Sequence, residues 1–334
     1  MRLLDFWKKI WKTPAKDWFY SQIPSNQTPN EIASTTLQPG NIYINVHLKS
    51  MRIVNVRNGF KTFYPAVHSF ISLKYIGNNN AEFNTVTAPT ELAELDAKNI
   101  DKIISLNKRL LGPVPYRGGD LQMDIGLFAV QSGDLAKSFL SLLTDMSSIA
   151  GVSFIGSVLP FVDPISKGVD LLVGNTSETQ LEIGISTDLN KITAGYYAVI
   201  AEDKSKVHMN ELFIDKKDYK LVDSGGNTVH NYSYIVFAIS GTDKKEDWFD
   251  IPELASSYKK LQDDIKGGDI NAATQSLDFF KRIVLTSNDL LFKDAKEIVK
   301  QVTEEVNDIL QNTQVADSNT SSLRNLNEFP IYSN

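Results

Sequence analysis

The chain has no cysteine and only four histidines in 334 residues. The first absence removes thiol nucleophiles, disulfides and every zinc site that needs thiolate ligands. It suits a reducing cytoplasm, with attachment to a membrane as an option. The second leaves His47, His68, His208 and His230, each in or beside a strand-like run, with no His-x-x-x-His or Glu-x-x-His pair to hold a metal. His47 and His68 could still meet across neighbouring strands. A Gly-x-Ser-x-Gly elbow is missing, and Ser240 in AISGTD does not supply one. PYRGGD at 115–120 lacks the glycine spacing and lysine of a phosphate loop, so it reads as a turn. Asp243, Glu246, Asp247 and Asp250, with Asp120 and Asp124, offer oxygens to calcium but have no EF-hand spacing, and such clusters are usually solvated. The expectation is a non-enzymatic protein with no cofactor and no bound metal.

Positive charge is scarce outside the start of the chain. The net charge is −6, yet residues 1–18 hold five basic and two acidic side chains, net +3, so the rest carries −9. An acidic body without a basic stripe is unsuited to neutralising phosphates, which argues against nucleic acid as a partner. The basic end favours an anionic membrane surface or an acidic protein partner.

That end is also strongly amphipathic. Wound at about 100° per residue, Leu3, Leu4, Phe6, Trp7, Ile10 and Trp11 share one arc, and Arg2, Asp5, Lys8, Lys9 and Lys12 share the opposite one. Trp and Leu below with lysines above suit a helix lying in a headgroup layer. They equally suit a helix docked in an apolar groove or packed on its own body. Lysines recur at every turn with no following apolar run, so a secretory signal is not expected. The binding residues nominated are Leu3, Phe6, Trp7, Lys8, Lys9, Ile10, Trp11 and Lys12, with Trp18 close behind.

Residues 1–20 are therefore read as an amphipathic helix closed by Pro14, and 21–40, with Pro24, Pro29 and Pro39 among Ser, Thr and Asn, as a linker. Residues 41–133 form a β region, in which Ile42, Ile44, Val46 and Leu48 alternate with polar partners and Asn58-Gly59 marks a hairpin turn. Within it, Leu92, Leu95, Ile100, Ile103, Ile104 and Leu110 recur at helical spacing up to Gly112-Pro113. Residues 134–174 are an apolar helical insertion, with no charge from 146 to 162. That run is short for a membrane span and is broken by Gly151, Gly156 and Pro160, so a buried connector is favoured.

A second β region, 175–250, includes a run from Tyr232 to Ile239 that is apolar on both faces, as in a central strand. Residues 251–312 are helical, with stripes through Leu254, Tyr258, Leu261 and Ile265, then Leu277, Phe280 and Val284, then a heptad-like series from Leu291 to Ile309. That last stripe opens self-association as an option. Residues 313–334 read as a disordered tail in which Phe329-Pro330-Ile331-Tyr332 could be a short docking motif.

The class expected is mainly β with helical additions (α+β): an antiparallel β-sandwich core, a central helical insertion, a C-terminal helical segment and an N-terminal amphipathic helix. The function expected is an adaptor attached through that helix to a membrane surface or a partner protein. The alternative is a membrane-disrupting effector that exposes residues 134–174.

Overall fold

The computed structural model describes residues 18–54, 57–58, 61–74, 80–87, 104–131, 179–313 and 322–332. The amphipathic residues 2–12 and the apolar insertion 134–174 lie outside the described residues.

In chain order the strands are β1 (Phe19–Gln22), β2 (Tyr43–Arg52), β3 (Arg57–Asn58), β4 (Lys61–Lys74), β5 (Asn80–Thr87) and β6 (Ile104–Pro115). They continue with β7 (Leu121–Gln131), β8 (Thr179–Leu189), β9 (Gly195–Ile200), β10 (Phe213–Ile214), β11 (Leu221–Val222) and β12 (Tyr234–Thr242). Three helices follow, α1 (Pro252–Lys266), α2 (Ile270–Thr286) and α3 (Phe292–Thr313). The protein is an α+β chain of antiparallel sheets with a helical unit at its C-terminal side. One five-stranded sheet runs β1-β9-β12-β2-β6, and the other runs β3-β4-β7-β8 with β5 also on β4.

β12 is the middle strand of the first sheet, as its two-sided apolar run predicts. Ile235, Phe237 and Ile239 face a core shared with Ile71, Met123, Ile125 and Leu127 of the second sheet. Tyr234, Val236 and Ala238 face a separate cluster roofed by Val207, Leu212, Ile214 and Leu221. Alternation of side chains along a strand produces this division.

Three expectations are corrected. Residues 21–40 are folded against the body: Ile23 and Leu37 are buried, Ile23 N donates to Tyr196 O at 2.9 Å, and Leu37 N donates to Ile192 O at 2.9 Å. Residues 104–115, predicted to end a helix at Gly112-Pro113, form strand β6, and Gly112 takes a positive φ of 97° there. Residues 322–332, assigned to a disordered tail, pack on the helices through Leu323, Leu326, Phe329 and Ile331. The heptad-like stripe of α3 is buried within the same cluster, where Ala295, Ile298, Val302, Val306 and Ile309 meet Leu254, Tyr258, Leu261 and Phe280.

Candidate functional site

Of the residues nominated from the sequence, Leu3, Phe6, Trp7, Lys8, Lys9, Ile10, Trp11 and Lys12 lie outside the described residues. Trp18 is described, half-buried against the core between the sheets and immediately before β1. Because β1 pairs with β9 through Phe19↔Ile200 and Gln22↔Tyr197, the chain is fixed to a sheet edge within a residue of Trp18. His47 and His68 sit on β2 and β4, in different sheets, so they do not face one another across neighbouring strands. Among the described residues no group of three His, Asp or Glu side chains is placed to hold a metal ion.

The structure instead assembles two polar clusters, in which His47, Asp247 and Tyr332 are joined by residues the sequence pattern did not single out. The first lies on the outer face of the first sheet. Tyr196, Ala238, His47 and Arg109 form one cross-strand row through β9, β12, β2 and β6. Beside that row the Lys49 ammonium donates to Asn107 Oδ1 at 2.7 Å and lies 4.5 Å from the centre of the Tyr219 ring. Glu31, from the segment expected to be a linker, accepts from both Tyr196 (3.1 Å) and Tyr219 (3.0 Å). Burial, then the charges of Lys49 and Arg109, push His47 down to about 4, so its ring is neutral at pH 7. A neutral imidazole between two cations can donate or accept a hydrogen bond without adding to their repulsion.

The second cluster joins the first sheet to the helices. The Tyr43 hydroxyl donates to Asp294 Oδ2 at 2.5 Å and accepts from Leu291 N at 3.0 Å. Tyr332 also donates to Asp294, at 3.2 Å, and its oxygen accepts from Lys245 N at 2.7 Å. Lys245 has no exposed side-chain surface; its ammonium donates to Pro113 O at 2.7 Å and pairs with Asp247 at 3.2 Å. Burial raises the Asp294 carboxyl above the usual range and lowers Lys245 below its own. Every one of these groups is engaged by protein, which suits a weld between two cores and leaves little room for a substrate.

The signals for these clusters were weak. Lys49 is a polar residue on a strand otherwise read for its apolar alternation, and Asp294 looks like any acidic residue in the first turn of a helix. Their partners are far away in sequence, 251 residues in the case of Tyr43 and Asp294. Compared with known family models, curated proteins and solved structures, the chain matches none.

Proposed function

We propose that this chain is a non-enzymatic docking protein whose basic amphipathic segment, residues 2–12, holds a sandwich-like β body and its helical unit against an anionic membrane surface. The observation that supports it most is the closeness of that segment to the folded body. Five residues separate Lys12 from Trp18, so the reach between them is at most about 22 Å. A segment on so short a lead cannot act as a remote tether, and it would set the orientation of the first sheet at the surface it binds. Arg2, Lys8, Lys9 and Lys12 against Asp5 leave a net +3, and each basic group near an anionic leaflet contributes about 1 kcal/mol. Among the described residues no helix is long and apolar enough to cross a membrane. The attachment proposed is insertion of Leu3, Phe6, Trp7 and Trp11 into the headgroup layer.

The test is co-sedimentation of the full chain with vesicles of anionic or neutral lipid, beside the Trp7→Ala/Trp11→Ala variant. Wild-type binding should be confined to anionic vesicles, fall steeply between 0.1 M and 1 M salt as the screening length drops from about 10 Å to about 3 Å, and disappear in the variant. Binding that survives the double substitution would refute the reading. An absence of any lipid binding would turn the same apolar face toward a protein partner. Dye release from the vesicles would favour the effector alternative, in which the charge-free run 146–162 becomes exposed.

A further inference from the structure

Residues 322–332 return along α3 in the opposite direction to the helix. Arg324 meets Glu305, Pro330 O accepts from Gln301 Nε2 at 3.2 Å, and Tyr332 reaches Asp294, so successive strap residues contact successively earlier turns. On the other side α1 holds the strap by its backbone. The Tyr258 hydroxyl donates to Arg324 O at 2.7 Å, and Gln262 Nε2 donates to Arg324 O at 3.3 Å and to Leu323 O at 3.5 Å. Leu323, Leu326, Phe329 and Ile331 enter the helical core and are only 5–8 % exposed. The Phe329 ring meets Tyr258 edge-on at 6.1 Å and is covered by the Arg324 guanidinium at 4.9 Å.

This is the organisation of a receptor and its peptide. Side chains of two helices grip carbonyls on either side of a 3-10 turn, Leu326–Glu328, and the apolar anchors are buried against the helices. Leu254, Leu261, Ala273, Phe280, Ile298 and Val302 of the three helices share one buried cluster with the four strap anchors. A cleft of about 200 Å³ remains between the strap and α1, lined by Phe249, Ala255, Tyr258, Gln262 and Leu326. Eight residues rich in Ser, Thr, Asn and Asp, 314–321, connect α3 to the strap.

We infer that the α1/α3 groove is a docking site for a segment of the form Leu-x-x-Leu-x-x-Phe-Pro-Ile-Tyr, bound with a 3-10 turn over Leu326–Glu328. The chain's own residues 323–332 fill it in cis, and the same segment of a second copy fills it in trans by exchange of straps. Exchange of an identical element conserves every contact, so only the connection decides between the two forms. In cis the short connection holds the strap at an effective concentration on the order of millimolar, which suppresses any competitor present at micromolar concentration by about a hundredfold or more.

The test uses a fluorescent peptide of residues 322–334, which stands for a second copy's strap, and the full chain with its own strap weakened by Leu326→Ala/Phe329→Ala. At micromolar concentration the wild-type chain should ignore the peptide, and the strap variant should bind it saturably, one to one, by fluorescence anisotropy. Adding Gln262→Ala and Gln301→Ala to that variant should weaken binding by about tenfold, since three long carbonyl contacts are lost. Far-ultraviolet circular dichroism reports whether the helices persist. A folded variant that takes no peptide would overturn the inference. So would loss of the helical signal, which would make the strap part of the core, and so would peptide binding indifferent to the two glutamines.

Discussion

Burial disfavours charge on both His47 and Asp294, yet the two act on stability with opposite sign as pH falls. His47 titrates near 4 in the fold and near 6.5 when unfolded, so between those values the unfolded chain binds a proton that the folded chain refuses. The stability contributed by its neutral ring is present above pH 6.5 and is lost as pH drops toward 4. For a half-buried ring that loss is on the order of 2 kcal/mol. Asp294 titrates above the ordinary carboxylate value because it is buried, with the Tyr43 and Tyr332 hydroxyls and Lys293 opposing the shift and Asp243 adding to it. Its contribution is fully present below the ordinary value and is lost as pH rises through the folded one. Urea unfolding at pH 7 and pH 4.5 separates the two. His47→Gln should shrink the acid loss of stability seen in the wild type. Asp294→Asn keeps an acceptor for the Tyr43 hydroxyl but removes the group that gains on acidification, so it should enlarge that loss. Equal pH dependence in His47→Gln and wild type would mean that the ring is solvated in the native state.

Among the elements, β6 shows best why a periodic reading succeeds in one place and fails in another. Its pairing with β2 shifts register three times, between Ile44 and Val46, between Val46 and His47, and between Leu48 and Ser50. Such irregularities break the two-residue alternation, and Ile104 and Leu110, read together with the apolar residues before them, imitate helical spacing. Gly112 carries the bend: a Cβ there would collide with Ile44 O of the neighbouring strand, and its φ of 97° is one that other residues rarely adopt. Gly112→Ala should therefore cost more than about 2 kcal/mol in chemical denaturation, and a neutral result would show that β2 can move aside. Strand β12 and the three helices were legible because their apolar periods run without interruption. Residues 21–40 and 322–332 were not legible. Their few apolar anchors, Ile23, Ile32 and Leu37 in one and Leu323, Leu326, Phe329 and Ile331 in the other, are too few to set a period; the first segment is ordered largely by backbone bonds to distant elements, and the second by helix side chains that bind its backbone. The same distance hides the site clusters, since nothing near Tyr43 in the chain announces Asp294.

At the scale of the whole molecule, the sheets and the helices have separate apolar clusters among the described residues, and the bonds described between them are polar. The helical cluster is built entirely from residues at or beyond Trp248, whereas the cluster between the sheets draws on residues up to Ile239. Across the junction run Tyr43 to Asp294 and Leu291, Lys245 to Pro113, Lys293 to Asp243 O at 3.1 Å, and Arg117 to Ser287 O and Leu290 O at 3.2 and 3.1 Å. Apolar burial tolerates small shifts, but these bonds are directional and each loses its value within a few tenths of an ångström. The junction is therefore where the molecule is easiest to divide without emptying either core. Tyr43→Phe with Lys245→Met removes three of these donors and acceptors at nearly constant volume, at a cost of about 2–4 kcal/mol from partners left buried and unpaired. Hydrogen exchange under mild denaturant reads the result. In the wild type, amides of β9 and β12 should open together with those of α1, α2 and α3, as one cooperative unit. In the double variant the helical amides should open first, while β9 and β12 stay protected by their own neighbours on both faces. If the variant still opens as one unit, the cores are coupled by something other than this polar seam, and Tyr43, Lys245 and Asp294 serve only local packing.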